Sequence, residues 1–276
     1  RDDEVPEPLA DRGLQRRAPA AADRAGGQGI LSSAAMVDLY AQIYAQDDIT
    51  GDWAANATTL RNAYVAETAE ARMAAMRQLW DGGAEPQTRY ARQVLTAYAA
   101  ARMPVSGDFA ADAPDLVASM LAAGLDANAL RWAPQADAGS LAWGQLALAA
   151  PQRSTPVDGG ALDGFHGNDE SADYRKSRFL LAGLMGLGRV DQNAARDFAA
   201  KLDLDFNRQS RWSSLIEQAA DANNQTLVAL LAGLGMQGNG WDRMTAMHLY
   251  HIVSALNRVG LTAEARMIAA EAVARG

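Results

Sequence analysis

Apolar residues recur with the period of an α-helix along most of the chain. Near the C-terminus, an i, i+3, i+4, i+7 spacing places four of them on one helix face: Leu249, Ile252, Val253 and Leu256. Gly260 follows, and glycine commonly ends helices in the left-handed conformation. Thr262 is expected to cap a second helix, whose inner face carries mostly small residues: Ala265, Ile268, Ala269 and Ala272. The two segments predict a helical hairpin.

The junction of this hairpin occurs at two earlier places. Residues 260–265 (GLTAEA) parallel residues 124–129 (GLDANA), where glycine again ends one helix and Asp126 is expected to cap the next. A looser copy surrounds Gly188, with Asp191 at the start of the following helix. The three glycines are 64 and 72 residues apart, and each step is about two hairpins of the size typical of solenoid repeats. The spacing therefore predicts stacked hairpins.

Through the glycine corner and the alanine-rich second helix, residues 116–130, 184–200 and 249–273 resemble the tetratricopeptide-like class of helical-repeat proteins. The 34-residue signature of that class, with its Trp, Leu-Gly, Tyr, Ala, Phe and Pro positions, is absent in every register. The resemblance implies a superhelical surface that binds or scaffolds other proteins.

The rest of the chain predicts further helices and no sheet, because period-two alternation of apolar and polar residues is absent. Ser32 or Ser33 is expected to cap the first helix, which runs to Ala45. The later helices are expected at residues 53–64, 67–80, 85–101, 114–123, 130–132, 141–149, 171–187, 191–202, 207–220, 223–234 and 245–259. We therefore predict an all-α fold of about a dozen helices, stacked as antiparallel hairpins in an α-solenoid or superhelical array.

Two segments lack this periodicity. Residues 1–29 combine acids, arginines, prolines and a Gly-Gly pair with almost no large apolar side chains, which predicts a disordered linker or tail, or alternatively a docking arm. Residues 151–169 form a long irregular loop within the folded region 30–276. Long loops inside compact domains are usually functional or disordered.

Composition excludes several classes of function. A formal charge of −8 and a pI near 4.9 argue against a nucleic-acid partner, since phosphate binding requires a basic face. The absence of cysteine excludes disulfides, thiolate catalysis and cysteine-bound metals. No apolar run reaches the ~18 residues of a transmembrane segment. The alanine-rich chain uses arginine for almost all its basic residues, which indicates a bacterial protein from a GC-rich genome.

Catalytic motifs are also absent. His248 and His251 are spaced i, i+3 on one helix but lack the glutamate and spacing of a zinc-protease motif. His166 lies in the long loop near Asp158 and Asp163, whose oxygens suit a hard cation, yet the spacing matches no EF-hand. We therefore predict no catalytic residue, no metal site and no cofactor, with a histidine zinc pair and a calcium loop as the alternatives.

Aromatic residues are the candidates for partner contact. Phe165 and His166 give the long loop an apolar and a titratable group that a solvated connector does not require. Trp241 follows a glycine-rich corner that either holds it outward or folds it back as a plug, and Tyr250 lies on the next helix. These four residues form the predicted contact set for a protein or peptide partner.

The sequence thus favours a non-enzymatic interaction or scaffolding module. The alternative is a helical accessory domain of a cell-envelope enzyme, or an α-helical enzyme with its site near residues 151–169. A Pro/Ala-rich segment before a helical module is typical of a spacer from an anchor, which favours the cell envelope or periplasm over the cytoplasm.

Overall fold

The computed structural model describes residues 23–46, 50–83, 85–153, 155–238 and 240–276. Within these ranges the chain is all-α, and the only pairing of extended backbone is one parallel bridge between Val157 and Val190. This confirms the predicted all-α array of about a dozen helices. None of the described helices has the length and apolarity needed to cross a membrane.

The chain divides into two compact units, the first ending at Pro104 and the second beginning at Val105. Helical residues 23–27 open the described part of the first unit. Four helices follow: α1 (Ser33–Tyr44), α2 (Asp52–Val65), α3 (Ala69–Asp81) and α4 (Pro86–Ala101). The second unit contains α5 (Ala113–Ala122), α6 (Asp126–Leu130), α7 (Leu141–Ala149), α8 (Gly159–Gly167), α9 (Arg175–Gly186), α10 (Gln192–Lys201), α11 (Arg211–Asp221), α12 (Gln225–Gly235), α13 (Ala246–Arg258) and α14 (Thr262–Arg275).

In the first unit, α2 and α3 form a hairpin, and α4 packs against α1, α2 and α3. The helix starts follow from local capping, because the hydroxyls of Ser32 and Thr68 accept hydrogen bonds from the backbone N–H groups of Ala35 and Ala71. The predicted cap at Ser32 is therefore confirmed. The apolar stripes meet in a core that includes Met36, Tyr40, Leu60, Met73, Met76, Trp80 and Leu95.

A buried polar group joins residues 23–29 to this core. Asp23 is only 7% exposed, the hydroxyl of Tyr40 donates a 2.8 Å hydrogen bond to it, and Arg92 Nε lies 3.9 Å from its other oxygen. Gln87 Nε2 donates to the carbonyl of Gly27 at 2.6 Å. Burial raises the pKa of Asp23, and the Tyr40 hydrogen bond and Arg92 charge oppose this.

Residues 23–29, which lie within the predicted tail, are attached to the first unit by these contacts. Composition misses their attachment because polar contacts, rather than apolar side chains, hold this short segment. Residues 1–22 of the predicted tail lie outside the described residues.

In the second unit, the predicted C-terminal hairpin is present as α13 and α14, and α9 packs along both helices. Gly183 and Gly186 allow α9 to approach closely. A Cβ at Gly183 would lie 2.8 Å from Leu148 Cδ2, and a Cβ at Gly186 would lie 2.8 Å from Val253 Cγ1. The small residues of α14 are buried as predicted: Ala265, Ala269 and Ala272.

The three glycine corners are equivalent. Gly124, Gly188 and Gly260 have φ values of 71°, 66° and 85°, and each following residue donates its N–H to the carbonyl five residues earlier. This is the Schellman arrangement, and it confirms the predicted left-handed helix ends. The same hydrogen bonds occur at Asp203 and Asn223, both with φ of 51°. The corner is thus more frequent than its glycines indicate.

Two predicted details of these junctions differ in the structure. Asp191 caps α10 as expected, but Asp126 and Thr262 are the first residues of α6 and α14. The cap positions of these two helices are Leu125 and Leu261, without side-chain hydrogen bonds. Residues 151–169 are not a continuous irregular loop, since they contain α8. Asp158 begins this helix by accepting a 2.9 Å hydrogen bond from Ala161 N. Two glycines in its first turn weaken the helical pattern, which explains why periodicity missed it.

The C-terminal end of α7 is held by two buried arginines. Arg189 Nη1 donates to the carbonyl oxygens of Ala147 and Leu148 at 3.0 and 2.8 Å. Arg266 from α14 donates to the carbonyl of Ala149 and lies 3.3 Å from Asp126. Cations complement the partial negative charge at a helix C-terminus. Arg266 thus joins α14 to α7, and α14 also packs against α5, although both helices lie far earlier in the sequence.

We expect Asp23→Ala to destabilise the first unit by about 2 to 4 kcal/mol, because it leaves the Tyr40 hydroxyl and the Arg92 guanidinium buried with lost partners. Urea denaturation followed by circular dichroism measures the change. Arg24→Ala, at an exposed neighbouring position, is the matched control. Equal stability of both variants would show that Asp23 does not attach the segment. Deletion through residue 27 is expected to destabilise similarly.

Gly260→Val is expected to lower the free energy of unfolding by more than about 1 kcal/mol, since a β-branched residue is strained at positive φ. A Cβ there would meet only Gln225 Nε2, at 3.7 Å, so the cost arises from the backbone rather than from a steric clash. Gly260→Asn is the control, because asparagine tolerates this conformation. Thermal melts in which valine and asparagine are equivalent would contradict the interpretation.

Candidate functional site

An open pocket of about 650 Å³ lies between α10, the segment after it and Tyr250 on α13. Its apolar lining comprises Met185, Val190, Ala195, Ala199, Leu204, Phe206 and Tyr250. Exposed polar residues surround the opening: Gln192 and Arg196 on α10, and Asp205 and Asn207 in the following segment. An apolar cavity with a few polar groups at its edge is the usual form of a binding site. We call it the Phe206–Tyr250 pocket.

The wall of the pocket begins at the left-handed corner of Asp203, where Leu204 N donates to the carbonyl of Ala199 at 2.9 Å. The corner turns the chain so that the ring of Phe206 lies 5.2 Å from that of Tyr250, tilted by 59°. Both rings are half-buried. Asn207 N donates to the carboxylate of Asp205 at 2.9 Å, which fixes the polar edge beside the rings. Local turns therefore place this aromatic pair.

A buried histidine lies behind the pocket. His251 is 2% exposed, its Nδ1 is 2.7 Å from Oε1 of Glu217 on α11, and its ring is 5.2 Å from Tyr250. The second oxygen of Glu217 accepts a 3.1 Å hydrogen bond from Gln209, in the same segment as Phe206. Glu217 thus connects α13, through His251, to the wall of the pocket.

The burial of His251 disfavours its charged form. Burial lowers its pKa, and the opposing charge of Glu217 does not restore the ordinary value, while His248 lowers it further. Because the imidazole is almost fully buried, a ligand in the pocket does not reach it directly. The contact between His251 and Glu217 therefore holds the wall of the pocket in place and does not suit proton transfer to a substrate.

The predicted contact residue Phe165 is buried in the core, at 3% exposure. Its ring packs on α7, where a Cβ at Gly144 would lie 2.6 Å from Phe165 Cε2, and it lies 6.5 Å from the ring of Trp143. The structure therefore places this residue in the core, and its contact with a partner stays a prediction. Because this segment is a helix, Phe165 and Leu162 lie on the same buried face. The predicted loop has no such periodicity, so it did not indicate which side chains point inward.

His166 is half-buried beside a different set of rings. Its ring lies 4.3 Å from Tyr174 and 5.9 Å from Phe198 on α10. Lys201 lies over Phe198 and forms a 2.7 Å ion pair with Asp163 of α8. This cluster joins α8 to α10, so His166 has a structural role whether or not a partner contacts it.

The remaining two predicted residues are also separated. Trp241 folds back onto the protein, with its ring 6.1 Å from that of Phe179 in an edge-to-face contact. This is one of the two positions that the sequence predicted for it. Tyr250 is the only member of the predicted set that lines the Phe206–Tyr250 pocket. The four residues therefore do not form one surface cluster, because each has different ring partners.

Among the described residues, no three His, Asp or Glu side chains are grouped so that they could hold a metal ion. Neither the pair His248 and His251 nor the acids near His166 form such a group. His248 Nδ1 instead lies 2.8 Å from the hydroxyl of Thr245, and its ring stacks on Trp212 at 5.0 Å. No protein-family model, curated protein or solved structure matches the chain.

Phe206 is the main residue of the site that the sequence did not reveal. The only local signal is a large aromatic side chain in an otherwise polar segment, residues 205–210. Its importance depends on Tyr250, 44 positions later, and on a left-handed aspartate that no glycine marks.

We expect the stability of the second unit to fall with acidification through the ordinary histidine pKa of about 6.5. The folded-state pKa of His251 lies below the unfolded value, so between the two the unfolded chain binds a proton that the folded chain does not. Urea denaturation between pH 7.5 and 5.5 measures this dependence. His251→Gln is expected to flatten it relative to the control His248→Gln, and parallel pH profiles for both variants would contradict the assignment.

Proposed function

We propose that the chain is a non-enzymatic interaction module of a bacterial protein, and that it binds an apolar segment of a partner protein in the Phe206–Tyr250 pocket. The observation that carries this proposal is the open aromatic pair within an apolar cavity of about 650 Å³. Aromatic side chains contribute much of the energy at protein interfaces, because they bury large areas with little loss of conformational freedom.

The charges at the opening support a peptide occupant. Arg196 on α10 and Asp205 in the following segment both line the pocket and are exposed, and neither forms an ion pair with another described residue. Two separate groups of opposite charge beside an apolar cavity favour one direction of a bound chain, whereas the apolar lining supplies affinity.

The burial of His251 favours binding over catalysis. His251 and Glu217 form an acid–base pair beside Tyr250, but His251 is only 2% exposed and its Nδ1 faces the carboxylate. A general base must come within hydrogen-bond distance of the proton that it removes. The alternative of an α-helical enzyme therefore has less support than an interaction module.

The tetratricopeptide-like interpretation receives partial support. Repeated Schellman corners and antiparallel helix pairs are common to such proteins, but the contacts of α14 with α5 and α7 are not between sequence neighbours. We propose an irregular member of the helical-repeat class, in which the second unit is closed by its last helix.

Selection of peptides from a random display library against the whole chain tests the proposed pocket. We expect enriched peptides with a large apolar residue, and we expect Tyr250→Ala to weaken their binding by about tenfold or more, the usual cost of removing an aromatic anchor. Ala200→Trp, which adds bulk at an exposed pocket position, should have a similar effect. Isothermal titration measures both.

Leu230→Ala is the matched control, because Leu230 is a 67% exposed apolar residue outside the pocket lining. If the control variant binds the peptides more weakly while the two pocket variants bind them as the parent does, the Phe206–Tyr250 pocket is not their binding site. Thermal melts of all three variants establish that each is folded.

A further inference from the structure

A second and smaller pocket lies beside α7, in the same unit. It has a volume of about 320 Å³, and its apolar wall includes Leu130, Trp143 and Leu146 together with several alanines. Gln152 and Arg153 line its edge. This volume accommodates one large apolar side chain, and the aromatic and aliphatic wall suits such a group.

The edge of this pocket carries an excess of positive charge. Arg153 is exposed, and its Nε makes only a 3.4 Å contact with the carbonyl of Thr155. In the described part of the chain it forms no ion pair. The buried Arg189 donates to the carbonyl of Ala147, which lines this pocket, and the buried Arg266 pairs with Asp126.

The neighbouring cations act on the buried Arg189. Burial lowers the pKa of Arg189 to about 10, with further contributions from the charges of Arg266 and Arg153. Arg189 and Arg266 are buried and donate to carbonyl oxygens of α7, so Arg153 is the guanidinium exposed at this edge. A carboxylate matches this planar cation in charge and geometry.

The backbone next to the pocket is exposed. Residues 151–153 are exposed, and the backbone groups of Gln152 and Arg153 form no backbone hydrogen bonds with other described residues. A few residues later, Val157 pairs with the segment around Val190, which anchors the end of this stretch. Unpaired backbone beside a pocket can receive an extended peptide through main-chain hydrogen bonds.

We propose that this pocket, lined by Trp143 and edged by Arg153, binds the C-terminal residue of a partner polypeptide. The terminal carboxylate pairs with Arg153, the terminal apolar side chain enters the pocket against Trp143, and the preceding residues lie along residues 151–153. The site is separate from the Phe206–Tyr250 pocket and does not depend on its proposed function.

Two-dimensional NMR of the indole N–H of Trp143, assigned with Trp143→Phe, tests the proposal. The probes are acetyl-Gly-Ala-Leu as the free acid, the same peptide as its C-terminal amide, and 4-methylpentanoate as a small acid with the same side chain and charge. We expect saturable shifts with the free acid, at least about tenfold weaker binding of the amide, and weaker binding of the small acid.

Arg153→Gln should weaken binding of the peptide as its free acid by about tenfold or more. The control variant Arg131→Gln, at another exposed arginine, should leave this binding unchanged. Tyr250→Ala should leave this binding unchanged, which separates the site from the first pocket. Equal binding of acid and amide, insensitivity to Arg153→Gln, or absence of any shift would overturn the carboxylate site. Equal binding of 4-methylpentanoate and the peptide acid would overturn the peptide as its occupant.

Discussion

The second unit depends on the satisfaction of one buried helix end. The last carbonyl groups of a helix have no partners within it, and leaving them buried without hydrogen bonds is costly. At α7, Arg189 and Arg266 supply the donors from positions 41 and 117 residues away. Truncating either arginine would leave carbonyl groups of α7 without donors. The two side chains therefore fix the corner after α9 and the last helix relative to α7.

This constraint also explains where the pockets lie. Gly188 and Val190, on either side of Arg189, line the Phe206–Tyr250 pocket, while the carbonyl of Ala147 that Arg189 binds belongs to a residue lining the smaller pocket. A regular solenoid would form its binding surface from the repeated faces of successive hairpins. Here the surface cavities instead flank the point at which distant helices are locked together.

The sequence predicted most helices because their caps and apolar stripes are local. Ser32, Asp191 and the corner glycines each act within a few residues of their position, so spacing alone reveals them. The failures have a common cause. Asp23 depends on Tyr40 and Arg92, and Phe165 depends on the absence of a side chain at Gly144, and neither dependence leaves a periodic pattern.

The candidate site was less predictable for the same reason. Tyr250 could be predicted because it is an aromatic residue on a strongly periodic helix. Its contact with Phe206 could not, because it depends on the left-handed backbone of Asp203 and on the hydrogen bond from Gln209 to Glu217 that holds the segment after α10. Because Glu217 also faces His251, the wall of the pocket rests on a buried group whose neutral form is favoured. A charged imidazole is unfavourable in this buried position, so protonation of His251 opposes the α11–α13 packing that holds the wall of the pocket.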